Sequence, residues 1–251
     1  MTVPKFYLVG GAVRDLVMGL PVKDYDYAVE CDSYEDMRYA IIERGGKIFV
    51  ENPEYLTIRA IDIYGEITGL PKMATDFVMC RKDGEYVDGR RPEDVTPGSL
   101  YDDLARRDFT VNAMAINTLD LSYGGKDLHV DLENLIDPFD GRHDIACMKL
   151  RCVGNPYERL NEDTLRILRA LRFHITKGFE LSGLLHEAIL DQSFVEKMWN
   201  VSIDRVRDEL DKCFRHDTIA TMNVMSHLIS GELVEAIFRD GLWLKPTNES
   251  R

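Results

Sequence analysis

The sequence predicts an α+β chain, with strands and helices interleaved in the first part and helices alone in the second. Two observations predict it. Short apolar runs of strand character recur up to about residue 142. From about residue 156 the strand signals fade, and apolar residues return at helical spacing in one segment after another. The expected domains are therefore residues 1–142 and 143–251.

Each element has its own local signal. "FYLVG" reads as a buried strand, Gly10-Gly11 as a turn, and "AVRDLVMG" as a short helix stopped by Gly19 and Pro21. "DYDYAVE" is the second strand. "SYEDMRYAIIERGG" is a helix with Ser33 as N-cap and Gly45-Gly46 at its end. "KIFV", "YLTIRAID" and "TDFVMC" read as further strands. Residues 82–99 are rich in Gly and Pro turns and are expected to form a long mobile loop. A helix is expected over "LYDDLARRDFTVNAMAI", a last strand at "LHVDL", and a turn-rich junction at "DPFDGRHDI". Beyond it, "NEDTLRILRALRFHI", "GLLHEAILD", "IDRVRDELDKCFRH", "TMNVMSHLI" and "ELVEAIF" all show helical spacing.

Composition bounds the function. A chain of 251 residues, 45% hydrophobic and 30% charged, has the make-up of a globular protein with a real core. It contains no apolar run of about 18 residues, so no membrane span is expected. The start, "MTVPKFYLVGG", does not read as a signal peptide. The five cysteines form no C-x-x-C and no zinc-like spacing with His, which points to free thiols in a reducing compartment. A formal charge of −13 argues against indiscriminate nucleic-acid binding, although the arginines cluster in "CRKDGEYVDGRRP", "LARRDF" and "LRILRALRF".

Candidate chemistry begins with Asp24 and Asp26. Side chains alternate along a strand, so these two share a face while Tyr25 and Tyr27 take the other. Two carboxylates so close repel unless a cation sits between them. A hard divalent ion such as Mg²⁺ fits, and it usually also takes phosphate oxygens from a substrate. Two exposed aspartates on an edge strand would look the same in sequence. Gly10 and Gly11 open a helix, where backbone N–H groups can approach a phosphate, and Arg14 lies one turn further on. An ordinary strand-to-helix turn shares that pattern. In "EDTLRILRALRF", a helical wheel puts Asp163, Arg166 and Arg169 in an arc of roughly 120°. Leu165, Ile167, Leu168, Leu171 and Ile175 lie opposite, with Arg172 at the border.

Taken together, these stretches resemble a known family. "YLVGGAVRDLVMGLPVKDYDYAVE" closely resembles motif A of class II tRNA nucleotidyltransferases and bacterial poly(A) polymerases, members of the polymerase β nucleotidyltransferase superfamily. In the family's order, "RRDFTVNAMAI" is similar to motif B, "DPFDGRHDI" to motif C and "EDTLRILRALRF" to motif D. "VSIDRVRDELDKCF" and "GELVEAIFRDGLWL" resemble its later helical segments.

The resemblance implies a mixed β-sheet nucleotidyltransferase head followed by an all-α neck and body. It implies that Asp24 and Asp26 hold the catalytic Mg²⁺ ions and that Gly10, Gly11, Arg14 and Arg107 bind the nucleotide. Asp108 and Asn112, at i, i+4 spacing, would orient Arg107 or the ribose. Arg106 is expected to face elsewhere as a surface charge. Asp163 and Arg166 would read the base edge, and Arg169 and Arg172 would serve the phosphates. Asp76 is the candidate third catalytic carboxylate, with Asp62 as its alternative.

The implied reaction is addition of CCA to the 3′ end of tRNA from CTP and ATP, with release of pyrophosphate, in the cytoplasm. Poly(A) polymerisation and partial CC or A addition are alternatives within the family. Outside it stand a non-catalytic RNA- or nucleotide-binding module and a small-molecule nucleotidyltransferase. "RKDGEYVDGRRP" resembles the flexible loop that supports the switch to A addition, which favours CCA addition. Family members commonly carry a longer helical tail, so the resemblance is to a compact variant lacking most of it.

Overall fold

The computed structural model describes residues 3–22, 24–69, 72–84, 95–124, 127–130 and 132–242. The chain divides into two compact units between Ile145 and Ala146.

The first unit is built on a six-stranded mixed sheet. Its strands are β1 (Lys5–Val9), β2 (Asp26–Glu30), β3 (Gly46–Asn52), β4 (Thr57–Asp62), β5 (Met73–Met79) and β8 (Ala115–Asn117). Their spatial order is β3-β4-β5-β2-β1-β8, with β2 and β5 parallel and the other neighbours antiparallel. Alternation along these strands sorts the side chains onto two faces. Leu8, Tyr27, Phe77 and Ile58 stand in register across the four central strands and are fully buried. The Tyr27 and Phe77 rings lie 5.6 Å apart, and Phe6 meets Phe77 edge-on at 5.8 Å. Burial of each such side chain contributes about 1.5–3 kcal/mol, enough for this row to fix the register of the sheet.

Short helices complete the unit: α1 (Gly11–Val17), α2 (Tyr34–Glu43), α3 (Leu100–Ala105) and α4 (Gly141–Ala146). Ser33 caps α2 as expected, its side chain accepting from the Asp36 N–H. Ser99 and Asp102 form a reciprocal capping box on α3. At α4, Asp137 accepts from the N–H groups of Gly141 and Arg142, both at 2.8 Å.

Several expectations are corrected. The second strand begins at Asp26, so Asp24 precedes it, outside the ladder. The cause lies in β1, whose last residue, Val9, is the partner of Asp26. The chain then turns at Gly10 and offers Asp24 no ladder partner.

The helix expected over 100–116 stops at Ala105. A 3₁₀ turn, Thr110–Asn112, and β8 follow it. Beyond the cap at Arg106 the helix does not resume, and the Asp108 carboxylate accepts from the next backbone N–H, that of Phe109, at 2.8 Å. Such local bonds compete with helix. Of the expected loop, residues 85–94 lie outside the described residues. Its flanks are not loop: β6 (Arg81–Asp83) and β7 (Val95–Pro97) pair antiparallel. The strand expected at "LHVDL" corresponds to β10 (Asp127–Val130), which pairs with an unexpected β9 (Leu121–Gly124). The "DPFDGRHDI" junction turns first and then enters α4.

The second unit is helical, with α5 (Pro156–Glu162), α6 (Arg166–Lys177), α7 (Gly183–Ile189), α8 (Ser193–Asn200), α9 (Ile203–His216), α10 (Thr218–His227) and α11 (Gly231–Ile237). One short parallel pair, β11 (Lys149–Leu150) with β12 (Glu180–Leu181), interrupts the helical pattern. Packing centres on α6, which lies against α9, α10 and α5. Ile167, Leu168, Ala170, Leu171 and Phe173 supply its buried face. Gly178, at φ 76°, ends α6 in the left-handed conformation that glycine adopts without a Cβ penalty. Cys31, Cys80, Cys152 and Cys213 are buried and Cys147 is exposed. Among the described residues no helix is long and apolar enough to cross a membrane.

Candidate active site

In the first unit, a transverse row of the sheet carries the charged groups. Arg59 of β4, Asp76 of β5, Asp26 of β2 and Val9 of β1 stand opposite one another in register. Asp26 and Asp76 thus project side by side from the face opposite Tyr27 and Phe77. An open cleft of about 340 Å³ lies over them, lined by Val9, Asp26, Thr57, Asp76, Arg106 and Arg107. Asp24 is exposed, two residues before Asp26.

Like Asp24, Asp26 is exposed, but its carboxyl is partly desolvated. Protein crowds one side of its carboxyl while solvent reaches the other. This partial desolvation raises its pKa; the charges of Asp76 and Asp24 add to the rise, against the pull of Arg107 and Arg59. The Arg59 Nε atom lies 3.0 Å from an Asp76 oxygen. Asp62, the alternative third carboxylate, is not among the residues that line this cleft. It is fully buried and accepts from the N–H groups of Gly65, Ile67 and Thr68 and from the Thr68 hydroxyl.

The turn between β1 and α1 is shaped by glycine. Gly10 has φ +70°, and a Cβ there would come within 2.9 Å of Arg107 Nη1. The absent side chain is what lets Arg107 close on the turn. Gly11 is less demanding, since its Cβ would meet Arg14 Nη2 at 3.4 Å. Arg14 is buried rather than presented at the cleft. Its guanidinium donates to Asp15 and, at 2.7 Å, to the side-chain oxygen of Asn112, whose amide donates to Asp108 at 3.0 Å. Asp108 and Asn112 therefore do meet, but through a turn and not along a helix.

Arg106 and Arg107 share one anchor. Asp103, in the last turn of α3, accepts from Arg106 through Oδ1 and from Arg107 Nη2 through Oδ2 at 2.9 Å. This corrects the expectation for Arg106, which lines the cleft with Arg107. Arg107 Nε is buried, with no hydrogen-bond partner among the described residues. Sequence reading missed Asp103, although its i, i+3 and i, i+4 spacing to the two arginines in "DDLARR" is a usable signal. Burial alone would raise the Asp103 pKa, but Arg107 and Arg106 outweigh it and hold the carboxyl below the ordinary range.

A depressed folded-state pKa gives stability that is complete above the unfolded value, about 3.9, and lost as pH falls through the folded one. Asp103→Asn should therefore melt lower than the unsubstituted protein near neutral pH, with the gap narrowing below about pH 4. Thermal melts of both proteins across that range check it. An equal gap at every pH would contradict the pairing.

Motif C supports motif B from behind. The Asp144 carboxylate accepts from the Thr110 hydroxyl, and Ala115 and Ile136 exchange backbone hydrogen bonds of 2.9 Å. A Cβ on Gly141 would lie 2.3 Å from the Thr110 carbonyl oxygen, so only glycine fits there.

In the second unit, motif D is not one continuous helix. Asp163 is extended, at φ −149° and ψ 101°, and sits between α5 and α6. Its carboxylate explains the break: Oδ1 accepts from the Leu165 N–H at 3.2 Å, a local turn that competes with helix. Asp163 Oδ2 accepts from Arg205 Nη2 at 2.6 Å. Arg166 is buried and donates to Glu162 at 2.7 Å and to the Arg159 carbonyl at 2.8 Å. Arg172 stacks over Phe173 and donates through Nε to Glu209 of α9. Arg169 lies 3.9 Å from the same carboxylate. Burial would raise the Glu209 pKa, but Arg172, Lys212 and Arg169 bring it below the ordinary value.

A mixed sheet with paired aspartates at its centre, followed by helices, is the nucleotidyltransferase fold. Residues 6–151 match the family model of the poly A polymerase head domain, and the chain belongs to that family. The CCA-adding enzyme of Anoxybacillus flavithermus is 37% identical over 207 residues, 82% of this chain and 45% of that protein. The CCA-adding enzyme of Streptococcus suis is 37% identical over 213 residues, 84% of this chain and 46% of that one.

Solved structures agree. The CCA-adding enzyme of Bacillus stearothermophilus in complex with CTP superposes with a TM-score of 0.69 at 28% identity, covering 91% of this chain and 50% of that one. A tRNA nucleotidyltransferase complexed with a primer tRNA and an incoming ATP analog gives 0.68 at 28% identity, covering 96% and 61%. The chain spans about half the length of the curated relatives it matches.

Proposed function

We propose that the chain acts as a template-independent RNA nucleotidyltransferase that completes the 3′ end of tRNA with CCA from CTP and ATP. The observation that carries this reading is the row of Asp76, Asp26 and Val9, with Arg107 drawn against the Gly10 turn. The names of the relatives, CCA-adding enzymes, support the choice of reaction. In that reaction the RNA 3′ hydroxyl attacks the α-phosphorus of the nucleotide. Its proton is lost, a new P–O bond forms, and the bond to pyrophosphate breaks.

The donor set suits Mg²⁺. Among the described residues no three His, Cys, Asp or Glu side chains come together as a group that could hold a metal ion by themselves. Mg²⁺ does not require one, because it is usually bound by one or two carboxylates together with substrate phosphates and water. Asp24 and Asp26 are the proposed ligands, with Asp76 as the third carboxylate. Bound there, Mg²⁺ would supply the positive charge that activates the hydroxyl and stabilises the leaving pyrophosphate.

The chain's own groups do the rest. Arg107 and Arg106, which line the cleft, present positive charge to the phosphates. Gly10 and Gly11 let backbone reach them, while Arg14, Asn112 and Asp108 hold the turn in shape. Asp163 and Arg166 are proposed to read the base, and Arg169 and Arg172 to serve the phosphates. The four buried thiols fit a cytoplasmic setting.

The test uses tRNA ending at the discriminator base, with CTP and ATP supplied separately and together. CTP alone should add two residues, and both nucleotides together three. A long A tract would favour poly(A) polymerisation, and no incorporation would end the proposal.

A further inference from the structure

We propose that Arg59 is the resident counter-cation of the carboxylate row: paired with Asp76, it weakens the binding of divalent ions to the carboxylates alone, so that the site loads its metal together with the nucleotide. The inference rests on the metal role proposed for Asp24, Asp26 and Asp76.

Arg59 ends the transverse row of the sheet. Register places it on β4 directly opposite Asp76, which in turn stands opposite Asp26. Its Nε atom lies 3.0 Å from Asp76 Oδ1, in an ion pair whose side chains are 53% and 37% exposed. Pairs so open to water add little to stability, so the consequence of this one lies in its charge. Arg59 also differs from the arginines of the cleft. Arg106 and Arg107 line the cleft, and Arg107 closes on the Gly10 turn at the Val9 end of the row. Arg59 is not among the lining residues and meets the carboxylates from the other flank.

That position acts on a metal ion. Asp76 Oδ1 already faces a guanidinium, so an ion at Asp76 must share this carboxylate with a fixed positive charge. Neighbouring strands lie about 4.8 Å apart, which puts an ion held between Asp26 and Asp76 about 7 Å from Arg59. At that range a divalent ion and a guanidinium repel within one Debye length, and the repulsion lowers affinity about fivefold. The nucleotide changes the balance. Its phosphates bring negative charge and oxygen ligands, and Mg²⁺ is usually held by one or two carboxylates together with such phosphates. Carboxylates without a counter-cation would instead take up the ion before the substrate.

The experiment measures Mn²⁺ binding to the full chain in the absence of nucleotide and tRNA. Carboxylates accept Mn²⁺ as they do Mg²⁺, and electron paramagnetic resonance reports the free ion. Unsubstituted protein is compared with Arg59→Lys, Arg59→Gln and Arg59→Glu, with a melting temperature for each. Arg59→Gln should bind Mn²⁺ about fivefold more tightly than the unsubstituted protein, and Arg59→Glu more tightly still. Arg59→Lys, which keeps the charge, should stay close to the unsubstituted protein. Thermal melts supply the nucleotide arm. Mn²⁺ with CTP should stabilise the unsubstituted protein clearly more than the sum of Mn²⁺ alone and CTP alone.

Should Arg59→Gln melt below the titration temperature, Arg59→Thr, a residue suited to strands, carries the same expectation. Arg59→Gln and Arg59→Glu binding Mn²⁺ no more tightly than the unsubstituted protein would overturn the inference. Weaker binding would overturn it too, since Arg59 would then hold Asp76 in place for the ion. Arg59→Lys binding as tightly as Arg59→Gln would remove charge as the cause and have the same result. Absence of Mn²⁺ binding in every protein, with CTP or without, would instead overturn the metal role in the proposed function.

Discussion

Asp26→Asn is expected to abolish CMP and AMP incorporation while leaving the protein at least as stable as before. The loss follows from the proposed metal role. Several kcal/mol of transition-state stabilisation come from such an ion, and about 4 kcal/mol is a thousandfold in rate. The stability half follows from the raised pKa of Asp26, caused first by desolvation and then by Asp76 and Asp24. When a carboxyl's folded pKa lies above its unfolded value, ionisation disfavours the folded state, and the penalty persists at neutral pH. Removing the charge relieves it. Without Mg²⁺, Asp26→Asn should melt at or above the unsubstituted protein at pH 7. Added Mg²⁺ should raise the melting temperature of the unsubstituted protein more than that of the variant, because a ligand stabilises the state that binds it. Melts with and without Mg²⁺, beside an incorporation assay, check both halves. Near-normal turnover would remove Asp26 from the mechanism.

Asp163→Ala is the second large effect. It removes the acceptor proposed to meet the amino groups of C and A, a bond worth about 1–3 kcal/mol when charge-assisted. Discrimination against UTP and GTP should relax by about one or two factors of ten. Arg169→Ala should instead weaken all four nucleotides alike, since the triphosphate is common to them. The variant at Asp163 is more informative than one at Arg166. Arg166 is buried between Glu162 and the Arg159 carbonyl, so its removal also takes a partner from both, although Glu162 keeps its ion pair with Arg159. Uniform slowing in Asp163→Ala, with C and A preference intact, would contradict base reading.

The strands were legible because their apolar runs are buried: Phe6, Leu8, Tyr27 and Phe77 are what a central sheet requires. The helical spacing of motif D likewise placed Ile167, Leu168 and Leu171 on the buried side. Failures fell where a side chain competes with backbone. Asp108 and Asp163 both sit at helical spacing, yet each lies outside a helix and accepts from a nearby backbone N–H. Periodicity cannot register a bond of that kind.

Sequence singled out Asp24 and Asp26 as a pair on one strand face, whereas the register sets Asp76 beside Asp26 and leaves Asp24 before the strand. That depends on β5 lying parallel beside β2, a long-range pairing. Partners of the arginines were hidden for a similar reason. Glu209 and Arg205 reach motif D from α9, 37 and 42 residues away in sequence from Arg172 and Asp163. Asp103 was closer, and its spacing to Arg106 and Arg107 did carry the signal.

The central claim is that the aspartate pair of the first unit holds the metal and with it the nucleotide triphosphate. Calorimetric titration of CTP into the full chain and into Asp26→Asn, each with Mg²⁺ and with chelator, tests it without reliance on turnover. The unsubstituted protein should bind CTP in the presence of Mg²⁺ at least about tenfold more tightly than the variant, the scale of one lost ligand interaction. Chelation should remove that advantage. Equal affinity of the two proteins, with and without Mg²⁺, would contradict the account.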